Sequence, residues 1–323
     1  MMHGSVRGMP PRVTGQDAQR RAVLLINATS GSASAQEVDQ QLVQILEDRG
    51  GMDVHLQRLE GDALVQQLQT LTRDDPEVLP IIGGGDGTIR AAAQVMLDSG
   101  RPWGVLPLGT YNHFAQDLGL DNDPLQAAEQ LATSEVRAVD AGIVNGRVFV
   151  NNASLGAYPL AVAIRDMLRS SMGLPKQLAM AYAFWKLFWR YRLLTIRLEA
   201  EEERNIDLLH APFLLISNNL YEKKSLTAVG RARLDEGVLG LYCLSQETRW
   251  GFLKAMFHGL IHALRENEAL VMKRTRHVSV HLQRGRVAAG LDGEVFQIET
   301  PLHFESRPAA LHLLAPPVRG HDR

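Results

Sequence analysis

Three short segments of this 323-residue chain combine residue types that phosphate chemistry requires. The first, Ile81-Ile-Gly-Gly-Gly-Asp-Gly-Thr-Ile89, places glycines between an apolar run and an amphipathic one. Glycine lets a backbone approach a ligand where a Cβ would collide, and the helix expected to follow offers unpaired N–H groups and a positive dipole end. Asp86 adds a carboxylate suited to holding Mg²⁺ against phosphates or to polarising an attacking hydroxyl. The Lys-Ser/Thr pair of a Walker A loop is missing. The second segment, Leu106-Pro-Leu-Gly-Thr-Tyr-Asn-His-Phe-Ala115, repeats the layout of apolar run, Gly-Thr and helix start. The third, Asn27-Ala-Thr-Ser-Gly31, ends the first apolar run in polar turn residues. Each alone also reads as an ordinary turn or helix cap. Together they are expected to converge on one crevice at the carboxyl ends of a parallel sheet.

The elements that must position these loops follow from the hydrophobic pattern. Arg21–Asn27, Asp53–Leu59, Val78–Ile82 and Trp103–Leu106 read as buried parallel strands, with Pro80 awkward for a central position. Helices alternate with them. Ser34 and Glu37 form a capping box before Val38, Leu42, Ile45 and Leu46; Leu64, Leu68 and Leu71 mark a second helix; Ile89, Ala92, Ala93, Met96 and Leu97 form a third apolar stripe. Asp123-Pro124 starts another helix with cap and first-position proline in order. The alternation predicts an α/β domain over residues 21–138. Beyond it strand signals dominate: Arg147–Val150, Leu193–Leu198, Ala211–Ser217, Gly237–Leu244, Val278–Leu282, Glu294–Ile298 and Leu311–Leu314. Helices are expected around Leu160–Ser170, Pro175–Arg190 and Trp250–Glu268. Residues 139–307 are therefore expected to form a mostly antiparallel β-sandwich domain.

Composition sets outer limits. Apolar residues make up 45% and charged residues 22%, with net charge -2, so no basic excess points to nucleic acid. The single cysteine, Cys243, excludes an intrachain disulfide and reads as strand core. Residues 1–20 are polar, lack an apolar signal region, and read as a disordered tail. No apolar stretch reaches the roughly 18–20 residues that span a bilayer. A cytoplasmic chain is expected. Leu178–Trp189, flanked by Lys176, Arg190 and Arg192, reads as helix core or as a peripheral membrane contact. Oligomeric state is not legible, and a homodimer stays open.

The loop segments resemble the diacylglycerol kinase catalytic-domain family, which is related to sphingosine and NAD kinases. That family carries Asn-Pro-x-Ser-Gly, Gly-Gly-Asp-Gly-Thr and Pro-Leu-Gly-Thr-x-Asn-Asp-Phe-Ala; here Ala28 replaces the proline and His113 the aspartate. Asp140-Ala-Gly142, Asn145–Asn151 and Gly290-Leu-Asp-Gly-Glu294 resemble its later motifs. The resemblance implies an α/β nucleotide domain with a β-sandwich holding the acceptor, and a last strand, about 308–318, that returns to the first domain. It implies ATP- and Mg²⁺-dependent phosphorylation of a lipid hydroxyl, with a diacylglycerol-like acceptor. Asn27, Ser30, Gly31, Gly84, Gly85, Asp86, Gly87, Thr88, Gly109, Thr110 and Asn112 would form the nucleotide site, with Asp292 supporting it. Glu294 would be the general base and Asp86 the second carboxylate, organising Mg²⁺ or acting as base in its turn. A structural cation would sit on Glu236 and the backbone of Arg233 and Val238.

Other readings exist for the same residues. Asp292-Gly293 is also a hairpin turn signal, with Glu294 then a solvated strand residue. His113 cannot supply the charge of an aspartate. These departures leave room for a catalytically silent nucleotide or lipid-binding protein. An NAD kinase shares the glycine loop, but Asn151-Asn152-Ala153 lacks the glutamate that follows in that family. A dinucleotide dehydrogenase fails for want of Gly-x-Gly-x-x-Gly after the first strand.

Overall fold

The computed structural model describes residues 20–30, 35–97, 99–156, 194–200, 206–223, 229–231, 233–244 and 270–317. Gly31, Ser34, the tail over residues 1–19, the Leu178–Trp189 stretch and the helices expected around Leu160–Ser170, Pro175–Arg190 and Trp250–Glu268 lie outside them.

Strands β1 (Arg20–Asn27), β2 (Met52–Leu59), β3 (Leu79–Gly84) and β4 (Pro102–Pro107) pair in parallel in the order β2-β1-β3-β4. Helices α1 (Ala35–Gly50), α2 (Gly61–Asp74) and α3 (Asp86–Met96) connect them. Leu24, Leu25, Ile26, Ile81 and Ile82 are fully buried, as are Leu42, Leu46, Leu64, Leu68, Ala92 and Ala93 on the helix faces. Each large side chain so buried contributes about 1.5–3 kcal/mol of hydrophobic stabilisation. Pro80 is tolerated because β4 begins to pair with β3 one residue later, at Ile81 opposite Gly104. The strand order reverses direction between β1 and β3, which places the topological switch point between the ends of those two strands.

The first half closes with α4 (His113–Asp117) and α5 (Pro124–Ala132), and β5 (Glu135–Val144), β6 (Arg147–Phe149) and β7 (Asn152–Gly156) follow. Asp123 caps α5 as expected, accepting from the N–H groups of Leu125 and Gln126. Then come β8 (Leu194–Ala200), β9 (Ile206–Ala211), β10 (Phe213–Asn218), and the short β11 (Glu222–Lys223) and β12 (Val229–Gly230). The expected strand Ala211–Ser217 is β10, which starts after Pro212, while Ala211 ends the separate β9. β13 (Leu239–Leu244), β14 (Leu270–Thr275), β15 (His277–Leu282), β16 (Arg286–Leu291), β17 (Glu294–Glu299) and β18 (Leu302–Ala315) complete the chain. An antiparallel sheet, β14-β13-β10-β7-β16-β17, packs its apolar face against the part of the first sheet that contains β8, β15 and β18. Cys243 lies in this core, where burial pushes its thiol up to about 11.

The long strand β18 joins the halves. Its start pairs antiparallel with β15, and its end pairs in parallel with β4 at Pro102 and Trp103. A bulge between Arg307 and Leu311 turns it, with Ala309 at φ 53 and its N–H held by the buried Asp140 carboxylate at 2.9 Å. The parallel and antiparallel regions thus share one ten-stranded mixed sheet.

Candidate active site

The three loops meet where the parallel strands end. Asn27, the last residue of β1, donates from Nδ2 to Thr88 Oγ1 at 2.9 Å, across the switch point. Its Oδ1 accepts from the Thr29 N–H and hydroxyl, and the Ser30 N–H donates to its carbonyl, folding the loop after β1 back on itself. Arg58, paired with Asp39, donates to the Ser30 carbonyl at 3.1 Å and anchors the far side of that loop.

The glycines are explained by what lies against them. A Cβ on Gly84 would sit 2.7 Å from Thr88 Oγ1, and one on Gly109 would overlap the Gly85 backbone. The Gly84–Thr88 and Gly109–Thr110 loops are therefore in backbone contact, reinforced by Leu108 N–H donating to Gly84 O at 3.1 Å. Asn112 adopts a left-handed conformation (φ 52, ψ 40) and is buried. Its Oδ1 accepts from Gly109 N–H at 2.8 Å, and its Nδ2 donates to Gly109 O and Asn122 Oδ1. This side chain shapes the loop from within.

A cleft of about 530 Å³ opens here, lined by Asn27, Thr29, Ser30, Gly85, Gly87, Thr88, Leu108, Gly109, Thr110 and Glu294. Gly85 caps α3, so the first N–H groups of that helix face this region of the fold. Glu294 enters from the second half of the molecule. Asp292-Gly293 is a two-residue hairpin turn between β16 and β17, both residues at positive φ (48 and 88), so the turn reading of the sequence holds. The same turn delivers the Glu294 carboxylate to the cleft, where Oε2 accepts from Arg90 Nη2 at 2.7 Å and Nε at 3.2 Å.

Asp292 itself is buried. Its Oδ2 accepts from Val150 N–H at 2.7 Å, and its Oδ1 from the N–H groups of Asn151 and Asn152 at 2.7 and 2.9 Å. Burial pushes this carboxyl up to about 6, while those N–H groups and nearby Arg231 pull it back down. The residue ties the β16–β17 hairpin to the β6–β7 connection.

Asp86, at the first position of α3, accepts at Oδ1 from Phe114 N–H and Asn151 Nδ2, both at 3.2 Å; Oδ2 has no hydrogen-bond partner among the described residues. One hard carboxylate oxygen left over beside this cleft suits Mg²⁺, which takes one or two carboxylates plus phosphate oxygens. Among the described residues no three His, Cys, Asp or Glu side chains gather into a metal cluster. Around Arg233, Glu236 and Val238 the chain is held by hydrogen bonds and an ion pair. Asp140 accepts from Gly237 N–H, Val238 O accepts from Asn219 N–H, Glu236 N–H donates to Asn219 Oδ1, and the Arg233 guanidinium pairs with Asp235. His113 is exposed and stacks flat on Tyr111, with ring centroids 5.6 Å apart.

Sequence pattern assigns no role to Thr29, Arg90 or Arg231, and marks Asn151 only as the end of a family-like segment. Thr29 sits inside a recognised turn, and Arg90 is one charge on a helix flank. Asn151 and Arg231 fall in polar stretches with no periodicity, and only the fold shows that they are buried.

The α/β sheet with loops at its carboxyl ends and a carboxylate delivered from an antiparallel region defines a phosphotransferase-like architecture. Residues 21–144 match the diacylglycerol kinase catalytic domain. Along nearly its whole length the chain is 25% identical to the diacylglycerol kinase of Bacillus subtilis (strain 168), covering 94% of this chain and 99% of that one. It is 29% identical to the "Probable lipid kinase YegS-like" of Pseudomonas syringae pv. syringae (strain B728a), over 92% and 94% of the two chains. The crystal structure of a diacylglycerol kinase from Bacillus anthracis str. Sterne shares the fold, with a TM-score of 0.70 at 18% identity over 94% of this chain and 99% of that one. The match over residues 21–144 and the likeness of nearly the whole chain to proteins named as diacylglycerol and lipid kinases support a kinase that transfers phosphate to an alcohol.

Proposed function

We propose that the protein is an ATP- and Mg²⁺-dependent lipid kinase that transfers the γ-phosphate to a lipid hydroxyl, with a diacylglycerol-like acceptor. The observation that carries this reading is the Glu294 carboxylate in the same cleft as the Gly84–Thr88 and Gly109–Thr110 loops. The relatives named diacylglycerol kinase and lipid kinase support the acceptor class.

In this reading residues 21–138, with the returning strand at about 308–318, hold the nucleotide, and residues 139–307 hold the acceptor. Backbone N–H groups at the start of α3 take the phosphates, and Thr88, Thr110, Asn27 and Ser30 supply further hydrogen bonds to phosphate or ribose. Asp86 would hold Mg²⁺, which supplies charge neutralisation at the phosphate oxygens when bound. Glu294 accepts the proton of the acceptor hydroxyl as its oxygen bonds to the γ-phosphorus. The bond from that phosphorus to the β–γ bridging oxygen breaks, and ADP leaves. The acceptor must come to the protein from a lipid phase, and peripheral membrane contact of a cytoplasmic protein accommodates that. No helix among the described residues is long and apolar enough to cross a membrane.

The test is transfer of label from γ-labelled ATP with Mg²⁺ to diacylglycerol, sphingoid base and polyprenol vesicles, with Glu294→Gln alongside. Labelled lipid from wild type and none from the variant is the expected result. No label in any lipid, with ATP bound measurably, sinks the lipid-kinase reading in favour of a silent binder.

A further inference from the structure

Arg231 is fully buried, with a side-chain exposure of 0%, yet it lies outside every loop that lines the cleft. Its charge is met by Asp117, the last residue of α4, at 2.8 Å from Nε. Nη1 donates to the carbonyls of Val150 and Asn218, and Nη2 donates to Asn151 Oδ1 at 2.6 Å. The guanidinium therefore joins α4, the β6–β7 connection and the end of β10. An ion pair removed from water in this way gives little net stability over an apolar filling of the same volume, so its stabilising value alone does not account for it.

Both hydrogen bonds on Asp86 lead back to this residue. The Phe114 N–H belongs to α4, which Arg231 grips through Asp117 and covers with its guanidinium 5.9 Å above the Phe114 ring. The second donor is the Asn151 amide. A guanidinium can only donate, so it selects the amide orientation with Oδ1 towards itself. Nδ2 must then face Asp86, an acceptor, at 3.2 Å. An Asn151 amide turned the other way would set its oxygen against the carboxylate.

We propose that Arg231 is a positioning residue for the Asp86 carboxylate, acting through the Asn151 amide and α4, so that Oδ2 is presented to the cation that accompanies the nucleotide. The proposal rests on the reading of Asp86 given above. It makes cation-dependent nucleotide binding, which needs no acceptor lipid, the natural readout.

The experiment measures ADP affinity by calorimetry in Mg²⁺ and in EDTA, for wild type, Asp86→Asn, Asn151→Ala, Arg231→Lys and the double variant Asp86→Asn/Asn151→Ala. Wild type should bind ADP more tightly in Mg²⁺. That ratio should shrink about 10-fold or more in Asn151→Ala and Arg231→Lys, the scale found when the support of a metal-binding side chain is removed. Affinity in EDTA should stay within about threefold of wild type. The double variant should be no worse than Asp86→Asn alone, since both changes remove one device. A packing defect would instead weaken binding equally in both media. Arg231→Lys keeps the charge but not the fork; if it fails to fold, Asn151→Ala carries the test. A normal Mg²⁺ ratio in Asn151→Ala, with the ratio lost in Asp86→Asn, overturns the positioning role while leaving Asp86 in place. A normal ratio in Asp86→Asn, or none in wild type, shows the reading of Asp86 to be wrong and takes the positioning role with it.

Discussion

Glu294 and Gly87, brought together from opposite halves of the sequence, are packed so closely that a Cβ on the glycine would overlap Oε1 and stand 2.9 Å from Cδ of the glutamate. The glycine loop therefore does two things at this position. It keeps the backbone open to the cleft, and it leaves room for the carboxylate expected to take the acceptor proton. Gly87→Ala should push Glu294 outward while leaving α3 in place, because residue 87 is helical and alanine is a better helix former than glycine. We expect turnover to fall by about 100-fold, as misplacement of a reacting group by about an ångström does, with unchanged or slightly raised thermal stability. Steady-state kinetics beside a melting curve checks both, and a variant that turns over normally would place the base elsewhere.

Glu294 is 48% exposed at its side chain and is held by Arg90, which is 11% exposed and lies 4.6 Å over the Phe296 ring. An ion pair this open to solvent contributes about 0–1 kcal/mol, so Arg90→Gln should shift stability very little. It should nonetheless reduce kcat by about 10-fold, because the carboxylate loses the fork that fixes its direction. Glu294→Gln should reduce kcat by at least about 100-fold, as loss of a general base does, and leave nucleotide affinity near wild type. Equal losses in the two variants would mean that Arg90 does more than orient its partner.

Much of this arrangement is legible in the order of the residues, and the limit is physical. Apolar periodicity marks the four parallel strands and the stripes on α1, α2 and α3, because burial on one face leaves a repeating trace. The phosphate-type loops stand out because glycines interrupt that trace. Strand β5, with its polar Glu135, Arg137 and Asp140, has no comparable run, and it becomes a strand because β18 pairs along it. Arg231 is invisible, and Asn151 has no legible role, for a related reason. A buried hydrogen-bond network is specified by contacts between residues up to 142 positions apart, as with Asp292 and Val150, and such contacts leave no periodic mark. The Asp292-Gly293 pair shows that two readings of one dipeptide need not compete: the turn is what carries the catalytic candidate to its place.

The contact between the Gly84–Thr88 and Gly109–Thr110 loops offers a cleaner test of their convergence. Gly109 has backbone, not a flexible side-chain tip, against its Cα hydrogens, and Asn112 Oδ1 lies 2.7 Å from where a Cβ would stand. Gly109→Ala must therefore separate the loops or break the Asn112 turn. We expect a loss of about 1–3 kcal/mol in stability, from overpacking against groups that cannot yield. Nucleotide affinity should fall in step, as read by calorimetry with ADP. Gly100→Ala is the control: it sits in a turn at φ 65 with open space around its Cα, so backbone strain alone is added there and nucleotide affinity should not change.

Asp292 makes stability depend on pH in a direction opposite to that of an ordinary salt-bridged carboxylate. Its folded-state value is raised from 3.8 to about 6, chiefly by burial, so the folded protein holds this proton more tightly than the unfolded chain. The resulting contribution is fully present below about pH 4 and is lost as pH rises through about 6, on the order of 3 kcal/mol in all. Above that window the carboxylate is ionised in both states and the dependence ends. Asp292→Asn cannot titrate, and its NH₂ group meets one of the three N–H donors that the carboxylate accepts, a cost of about 1–3 kcal/mol that does not vary with pH. Denaturant unfolding of both proteins at pH 4.5, 5.5, 6.5 and 7.5 isolates the effect, because every other titrating group is common to the two. The advantage of wild type over the variant should decline across the first three points and level off at the fourth. A constant difference would mean that the three backbone N–H groups offset the burial completely and that Asp292 is already ionised throughout the range.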